Sequence, residues 1–417
     1  MAPRTSTRLS SPRATALVLL AAAALAAGLL TPGAAVASSA LGASHPAALP
    51  AVTVGMITDA GPGIVGTGTL VEQGAKAAVA YQNEYGHGLD GHRIDLYICE
   101  NQQTPAGGQA CANDMVQHGV IAVALPFTGQ GQTEVPTVVK AGIPYITMSG
   151  ESTTELTTPG SFALQGGFPA ILGAVALQAK QEGYKKVAFV VSNVPAVVEG
   201  SQAIGGQVFK AAGVGFQVIP VDPGTADITP QLQSAVSDGA SALGVAGDVT
   251  LCSSFLRAYG TLGLKLPRYV VALCLDPSIL NSPSLDRVMR GSWLAGSGTA
   301  TPKQDALYAA IVHRYAPKVN PNPNASANDL AGMLPILSLA AIMKGYSGST
   351  ITAADVLRRT ESATDVPLPM FGGITFTCNG TAIPILKSVC SSTAAIGIMG
   401  KGYTVTHVKA YDPTPLF

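Results

Sequence analysis

Charged side chains are scarce in this 417-residue chain. They make up 12% of it, whereas 47% of the residues are hydrophobic and aromatic residues contribute 6%. A chain of this composition can bury a large apolar surface, which excludes intrinsic disorder and predicts an extensive core. Basic and acidic residues balance at 24 each, so there is no positive excess to neutralise a phosphate backbone. Nucleic acid is therefore not expected as a partner.

Local signatures of chemistry are missing as well. The sequence has no G-x-S-x-G, no H-E-x-x-H, no C-x-x-C and no P-loop, so we predict that the protein is not an enzyme. His87, Asp90 and His92 are the one group with metal-binding residue types close together, but a solvated Gly-rich loop explains them better. We expect no metal ion and no cofactor.

The first 37 residues are typical of a secretory signal peptide. Arg4, Arg8 and Arg13 precede an apolar run at residues 16–30, and small residues at 35–37 suit a signal peptidase. The run has 15 residues, fewer than the roughly 20 that a helix needs to span a bilayer. We expect cleavage and an extracytoplasmic or secreted protein of net charge −3, with an uncleaved anchor as the alternative. No cysteine follows the run to carry a lipid.

Six cysteines remain in the exported part of the chain. An even number in an oxidising compartment predicts disulfides, although several pairings are open. Pairing of sequence neighbours keeps each bond within one supersecondary unit and is favoured. The favoured bonds are Cys99–Cys111, Cys252–Cys274 and Cys378–Cys390. Loops this short each stabilise a fold by about 3 kcal/mol.

Short apolar runs alternate with helical segments from residue 51 onward, which predicts an α/β fold with parallel strands and right-handed crossovers. The alternation restarts at residue 170, so we predict two doubly wound parallel-sheet lobes. Predicted strands cover residues 52–58, 93–99, 120–125, 143–148, 186–192, 215–221, 242–246, 268–273 and 291–297, followed by strand-like segments at 373–377, 382–386, 395–399 and 403–409. Predicted helices cover residues 70–85, 105–118, 134–141, 170–183, 201–212, 228–237, 251–262, 302–316, 328–345 and 352–360.

A G-x-G-x-x-G motif occupies residues 61–66, between a predicted strand and a helix. It does not predict a dinucleotide site, because Asp59 and Ala60 separate the strand from the first glycine and Pro62 stiffens the loop. The acid at the end of the next strand, Glu100, lies 39 residues after Gly61, too far to meet a ribose. We interpret the motif as a glycine-rich loop at the carboxyl edge of the sheet, where open α/β sheets bind ligands.

Two further loops follow strands of the first predicted sheet. Phe127, Thr128 and Gly129 come after the third strand and offer a hydroxyl and open backbone. Ser149 and Gly150 come after the fourth, before a capping box at residues 152–155. The box either only starts a helix or also presents N–H groups that hold an anion such as a carboxylate.

An ordered series of segments resembles one known family, the branched-chain-amino-acid-type (Leu/Ile/Val-binding-protein-like) solute-binding proteins of ABC importers. No single segment is specific, but their order along residues 51–360 is. The tail with Cys378 and Cys390 is similar to a variant common in high-GC Gram-positive bacteria. The segments are Glu72, Gly74, Ala75 and Ala78 after the Gly-rich loop; Gly88, Gly91 and Ile94; residues 142–146 before Glu155; residues 186–190; and residues 263–265.

The resemblance implies a class I periplasmic-binding-protein fold, in which two lobes joined by three chain crossings close by rigid-body motion. We place the crossings near residues 165–167, 298–301 and 362–365. After the signal peptide (1–37) and a linker (38–50), the N-lobe then comprises residues 51–165 and 299–361. The C-lobe comprises residues 166–298 and 362–417.

The resemblance also implies ligand contacts. A hydroxyl residue after the third strand matches Thr128, and a carbonyl and a hydroxyl in the loop after the fourth strand match Gly150 and Ser152. In the second lobe the family's aromatic position reads Val249, beside Asp248, and its acidic position falls near Cys274, with Asp276 two residues on. A buried ammonium needs an acidic partner, for which Asp248, Asp276 or Glu199 could substitute.

The resemblance implies a monomeric extracytoplasmic protein that carries a small polar ligand, of which an amino acid is one candidate, to an ABC permease. It would meet the membrane only through the transporter or an uncleaved signal helix. Two alternatives stay open: a binding module that senses the ligand without transport, and a secreted enzyme on the same lobes. A permease or a sensor kinase encoded beside it would separate the first two.

Overall fold

The computed structural model describes residues 49–61, 67–193, 195–222, 224–296, 298, 300–401 and 404–417. The predicted signal peptide and most of the Gly-rich loop lie outside these residues. The predicted linker ends before residue 49, because Leu49 and Pro50 already belong to the first strand. The described residues form two large sheets with helices packed on them, as the alternation of apolar runs predicted.

The first sheet has five parallel strands in the order β2-β1-β3-β4-β5. Its strands are β1 (Leu49–Thr58), β2 (His92–Glu100), β3 (Ala122–Leu125), β4 (Tyr145–Thr147) and β5 (Ser161–Ala163). The helices along this segment are α1 (Thr67–Glu84), α2 (Pro105–Gln117), α3 (Gly131–Lys140) and α4 (Thr153–Thr157).

The second sheet has seven strands in the order β14-β13-β10-β9-β8-β6-β7. Its parallel strands are β6 (Lys186–Ser192), β7 (Gly215–Val221), β8 (Ala242–Ala246), β9 (Arg268–Val271) and β10 (Trp293–Gly296), and two antiparallel strands, β13 (Ala394–Met399) and β14 (Val405–Tyr411), complete it. The helices of this segment are α5 (Gly167–Gln181), α6 (Pro195–Gly200), a π-helical turn (Ser201–Gly205), α7 (Gly206–Ala212), α8 (Thr229–Ser237), α9 (Val249–Thr261), α10 (Pro277–Leu280) and α11 (Pro283–Met289).

The last third of the chain adds three helices and a small two-stranded sheet before β13. The helices are α12 (Pro302–Tyr315), α13 (Ala327–Met343) and α14 (Ala353–Glu361), and the small sheet pairs β11 (Val366–Pro367) with β12 (Thr375–Phe376). The predicted strand at 382–386 is wrong. Ile383 and Leu386 are buried in turns against Leu156 and Val389, so their apolar pattern reflects burial and not a strand.

The third crossing between the sheets differs from the predicted 362–365. Phe376, Cys378 and Cys390 still pack into the core of the first sheet, and the main chain at Cys390 donates to Ala163 of β5. The chain enters the second sheet only at β13. Sequence periodicity missed this because the segment contains few regular elements and is held mainly by its disulfide and its side-chain burial. A Cβ atom on Gly166 would lie 2.7 Å from the carbonyl oxygen of Ser391, so the first and third crossings run side by side.

All three favoured disulfides are present in the structure. Cys99–Cys111 joins β2 to α2, Cys252–Cys274 joins α9 to the turn after β9, and Cys378–Cys390 closes the segment beside β5. The third bond therefore closes a segment that packs against the first sheet, whereas the boundaries predicted from the sequence placed this segment in the C-lobe.

Helices α1 and α13 cross with their backbones in close contact, and two glycines permit it. A Cβ on Gly74 would lie 1.8 Å from the carbonyl oxygen of Asp329, and one on Gly332 would lie 1.9 Å from that of Val71. Backbone fills these positions, so no side chain fits there without moving a helix. The crossing holds the last third of the chain against the first sheet.

We expect Gly74→Ala to lower the free energy of unfolding by about 3 kcal/mol, because the added methyl group forces the two helices apart. Urea denaturation of the mature protein measures this. Gly206→Ala is the matched control: Gly206 is helical and exposed, with open space around its Cα, so alanine there should be neutral or stabilising by up to about 1 kcal/mol. Equal effects of the two substitutions would contradict the packing argument.

Candidate functional site

Each large sheet contains the strand order of a doubly wound fold with one topological switch point. In the first sheet the order reverses between β1 and β3, and in the second between β6 and β8. Ligands of open α/β sheets bind outside the carboxyl ends of the strands at such points. The loops after β1 and β3 carry Asp59 and Thr128, and the loop after β8 carries Asp248. Each sheet thus has a predicted ligand residue at its switch point: Thr128 in the first sheet and Asp248 in the second.

Asp59 connects the two loops of the first switch point. Its Oδ1 atom lies 2.9 Å from the Thr128 hydroxyl, and its Oδ2 atom accepts the Gly129 N–H at 3.0 Å. Asn101, which follows β2, donates to Asp59 Oδ1 at 2.7 Å. Thr128 is fully buried, so its hydroxyl is held by these neighbours and is not open to solvent.

Glu134 of α3 lies beneath this group and is fully buried. Its Oε1 atom is 3.2 Å from the Thr128 hydroxyl and 3.0 Å from Asn101 Nδ2, and its Oε2 atom accepts from the Tyr145 hydroxyl at 2.8 Å. Burial raises the pKa of Glu134 to about 7, although the hydrogen bonds from Asn101 and Tyr145 oppose the rise. A hydroxyl has one proton, so a protonated Glu134 can donate to Thr128 while Thr128 donates to Asp59.

The capping box at the start of α4 forms as the sequence predicted. Ser152 accepts from the Glu155 N–H at 3.2 Å, and the Ser152 N–H and hydroxyl each donate to Glu155 Oε2 at 2.8 Å. The N–H of Glu151 donates to the same oxygen at 3.0 Å. Burial raises the pKa of Glu155 to about 7 against these bonds. Its carboxyl group fits only because residue 131 is glycine, since a Cβ there would lie 2.2 Å from Glu155 Cδ.

Glu151 lies between these buried acids and solvent. Its side chain is accessible, but the protein around the carboxyl group reduces its hydration and raises its pKa to about 8, with the charges of Glu155 and Asp59 adding to the rise. Within the described part of the chain, this carboxylate has no hydrogen-bond or ion-pair partner. Asp59, Glu134, Glu151 and Glu155 together form what we call the acidic edge of the first sheet.

The predicted residues of the second sheet lie at helix starts. Asp248 is exposed and caps α9 by accepting the Leu251 N–H at 2.8 Å, while Val249 packs against the core of its own sheet. Asp276 caps α10 by accepting the Ser278 N–H at 2.8 Å. Cys252 and Cys274 are fully buried, and their disulfide joins α9 to the turn after β9, next to both caps.

A pocket of about 260 Å³ lies between the turn after β9 and two helices of the first core. Leu70 and Gln73 of α1 line one side, and Asp276 lines the other. Asp329 at the start of α13 also lines it; burial raises its pKa to about 6, and its Oδ1 atom has no hydrogen-bond partner. Polar groups from both parts of the fold therefore face one space.

The structure brings the predicted first-sheet residues together. The Ser149 N–H donates to the carbonyl oxygen of Pro126, so the loop with Ser149 and Gly150 adjoins the loop with Phe127, Thr128 and Gly129. Sequence reasoning missed the roles of Asn101 and Glu134, whose signal was only a polar residue after β2 and an acid in the first turn of α3.

The loop at residues 87–92 was the one candidate for a metal site in the sequence. Its residue His92 is buried, with its ring nitrogens next to the carbonyl oxygens of Pro50 and Gly348. No metal-binding group of three or more His, Cys, Asp or Glu residues occurs in the described ranges.

A sequence model of the periplasmic binding protein family matches residues 51–385. The chain belongs to this family. Its members are extracytoplasmic solute-binding proteins of ABC transporters, which bind small ligands and are not enzymes. Among curated protein sequences, none is significantly similar. Of the helices that the structure describes, none is both long and apolar enough to cross a membrane.

Solved structures of low sequence identity share the fold. A leucine-binding protein from Thermotoga maritima is 14% identical, with a TM-score of 0.68 over 87% of this chain and 99% of its own. An ABC transporter solute-binding protein from R. palustris, in complex with 4-hydroxybenzoate, is 17% identical, with a TM-score of 0.69 over 87% and 98%. A branched-chain amino acid transporter protein from Streptococcus pneumoniae, in complex with isoleucine, is 17% identical, with a TM-score of 0.63 over 87% and 100%. These likenesses confirm the predicted class I fold.

The acidic edge predicts how stability depends on pH. Glu134 is protonated in the folded protein up to a pKa of about 7, whereas its ordinary pKa is 4.5. Below pH 4.5 both states hold the proton; above it the unfolded chain loses the proton first, so the free energy of unfolding falls until the pH passes about 7. The expected loss is on the order of 3 kcal/mol for this group.

Glu134→Gln cannot ionise and should remove the part of this fall that Glu134 causes, while the parts caused by the raised pKa values of Glu151, Glu155 and Asp329 remain. Urea unfolding of the mature protein between pH 4.5 and 8.5 measures the difference. Glu84→Gln is the control, because hydrogen bonds from Tyr315 and Arg314 lower the pKa of the exposed Glu84. That variant should keep the fall. The same slope in wild type and Glu134→Gln would show that Glu134 is already ionised in the folded protein.

Proposed function

We propose that this protein is an extracytoplasmic solute-binding protein that captures a small polar ligand between two lobes and delivers it to an ABC importer. The observation that carries the proposal is the repeated switch point. Each sheet ends in polar loops at the position where doubly wound sheets bind ligands, and the pocket beside Asp276 and Asp329 has walls from both.

The core packing supports revised lobe boundaries. We assign residues 49–165 and 300–390 to the first lobe, and residues 166–298 and 391–417 to the second. The adjacent crossings at Gly166 and Ser391 are the proposed hinge, together with the crossing near residues 298–301, of which residue 299 lies outside the described part of the chain. Two side-by-side crossings allow rotation about one axis while keeping both cores intact.

The ligand contacts proposed for the first lobe are the loops at Phe127–Gly129 and Ser149–Ser152. In the second lobe, Asp248, Val249 and Asp276 are proposed to meet the ligand when the lobes close. Two structural neighbours bind isoleucine and 4-hydroxybenzoate, which supports a ligand of about this size. Recognition of either molecule by this chain is not implied at such low identity.

A ligand that bridges the lobes stabilises the closed form. We expect a subset of a library of amino acids, aromatic acids and amines to raise the melting temperature of the mature protein. At a concentration 100 times Kd the stabilisation is about 2.7 kcal/mol. The same ligands should reduce the radius of gyration in small-angle X-ray scattering. A library that leaves both quantities unchanged would count against a binding function.

Thr128→Ala should weaken binding of such a ligand about tenfold, since the hydroxyl fixes the orientation of Asp59 at the cleft. Calorimetric titration measures the affinity, and circular dichroism checks the fold. Thr128→Ser keeps the hydroxyl and should restore near-native affinity, although it loses the same buried methyl contacts. Native affinity in Thr128→Ala would exclude this loop from the site.

A further inference from the structure

We propose that the ligand presents a positive charge, and no free carboxylate, to the first lobe. The inference deepens the proposed function and rests on it: it concerns the chemical class of molecule that the same cleft accepts. Three observations carry it. The donors of Thr128, Gly129 and Ser152 are taken, the acids around them have no cationic partner among the described residues, and one buried carboxyl oxygen of this group lacks a hydrogen-bond partner.

The donors of Thr128, Gly129 and Ser152 are already bound to carboxylates of the chain itself. A ligand carboxylate at this edge would need the Thr128 hydroxyl and the neighbouring Gly129 N–H, but Asp59 accepts both, with one oxygen each. The second set of donors, the N–H and hydroxyl of Ser152, is bound to Glu155 in the same way. The two carboxylates thus occupy the positions that an anionic head group would take.

The acidic edge also lacks compensating charge. Asp59, Glu134, Glu151 and Glu155 take part in none of the ion pairs of the described residues. Neutral donors such as Asn101 and Tyr145 satisfy some of their oxygens but bring no positive charge. An anion placed here would be repelled by whichever of these acids are ionised, whereas a cation would favour their ionised forms and so lower the raised pKa values of Glu134, Glu151 and Glu155.

Two unpartnered groups show where a cation would gain most. Glu155 is fully buried, and its Oε1 atom has no hydrogen-bond donor in the described part of the chain. Glu151 is accessible to solvent and its carboxylate is also without a partner. An ammonium or amidinium group can donate several hydrogen bonds, so one such group can satisfy acids that neutral protein donors leave open.

The charge preference can be measured without knowing the ligand. Gly129 is exposed, and a Cβ there would lie 3.8 Å from Asp59 Oδ2 with nothing closer, so Gly129→Cys puts a thiol at the acidic edge without removing an acid. The native cysteines are all in disulfides and provide no competing thiol. The thiol is labelled with a trimethylammonium-ethyl or a sulfonatoethyl methanethiosulfonate, and the two rates are compared.

At Gly129→Cys we expect the ratio of the cationic to the anionic reaction rate to be at least about ten times the same ratio at Gly206→Cys. Gly206 is an exposed control position in open space. The comparison of reagents at one thiol cancels any change in the thiol's own reactivity. Adding Asp59→Asn to Gly129→Cys should reduce the preference. Equal rates for the two reagents, or a faster anionic reagent, would overturn the proposal.

Ligand series test the same point by binding. Leucine and tyrosine are each compared with the amine that lacks the carboxylate (3-methylbutylamine, tyramine) and the acid that lacks the amine (4-methylpentanoate, 3-(4-hydroxyphenyl)propionate), using calorimetry and thermal shift. For any series that binds, the amine should bind at least about tenfold tighter than the acid. An acid that binds tighter than its amine would overturn the inference and leave the binding function intact.

The two proposals fail separately. If no molecule in the wider library binds, the proposed function is contradicted, and the labelling ratio still decides whether the edge attracts cations. If acids bind and close the lobes, the solute-binding function stands and the charge class is wrong.

Discussion

Asp59 accepts hydrogen bonds at the point where the strand order of the first sheet reverses, and the geometry of the cleft edge depends on it. Its carboxylate joins the end of β1 to the loop after β3 through Thr128 and Gly129, and to the residue after β2 through Asn101. Three loops that leave neighbouring strands are therefore fixed relative to one another. Below them, Glu134 binds the same hydroxyl and amide groups and ties the network to Tyr145 of β4.

Burying several acids at one edge of the sheet lowers the stability of the fold, but it also sets the electrostatic field at that edge. Burial opposes ionisation of Glu134 and Glu155 and raises the pKa of each, and the negative charge of Asp59 adds to both rises. A core of apolar residues would avoid that cost. Buried acids with raised pKa values are concentrated at the functional sites of proteins. This agrees with the proposal of a cleft whose ligand supplies the missing positive charge. On the proposal made above, the acids have a double role, since they hold the loops in place and would select the ligand by its charge.

A binding protein whose lobes close as rigid bodies needs a well-packed core in each lobe and few chain crossings between them. The glycine contact between α1 and α13 and the disulfide at Cys378–Cys390 fasten the last third of the chain to the first sheet. The chain then returns to the second sheet beside the first crossing, at Gly166 and Ser391. The proposed hinge is thereby confined to a few residues, while the loops proposed to contact a ligand follow strands of the two sheets.

The sequence by itself predicted two sheets built on parallel strands, favoured the three disulfide pairings that form and predicted the capping box at Ser152, because strand periodicity, cysteine spacing and capping are local properties. The family resemblance also implied that Thr128, Gly150 and Ser152 share one site. Only the tertiary structure decided what those residues bind. Asp59 and Thr128 are 69 residues apart, and Asn101 and Glu134 carry no motif, so their meeting depends on strand order and not on spacing. The same holds for residues 363–390, whose place beside β5 is set by long-range burial that no local pattern encodes.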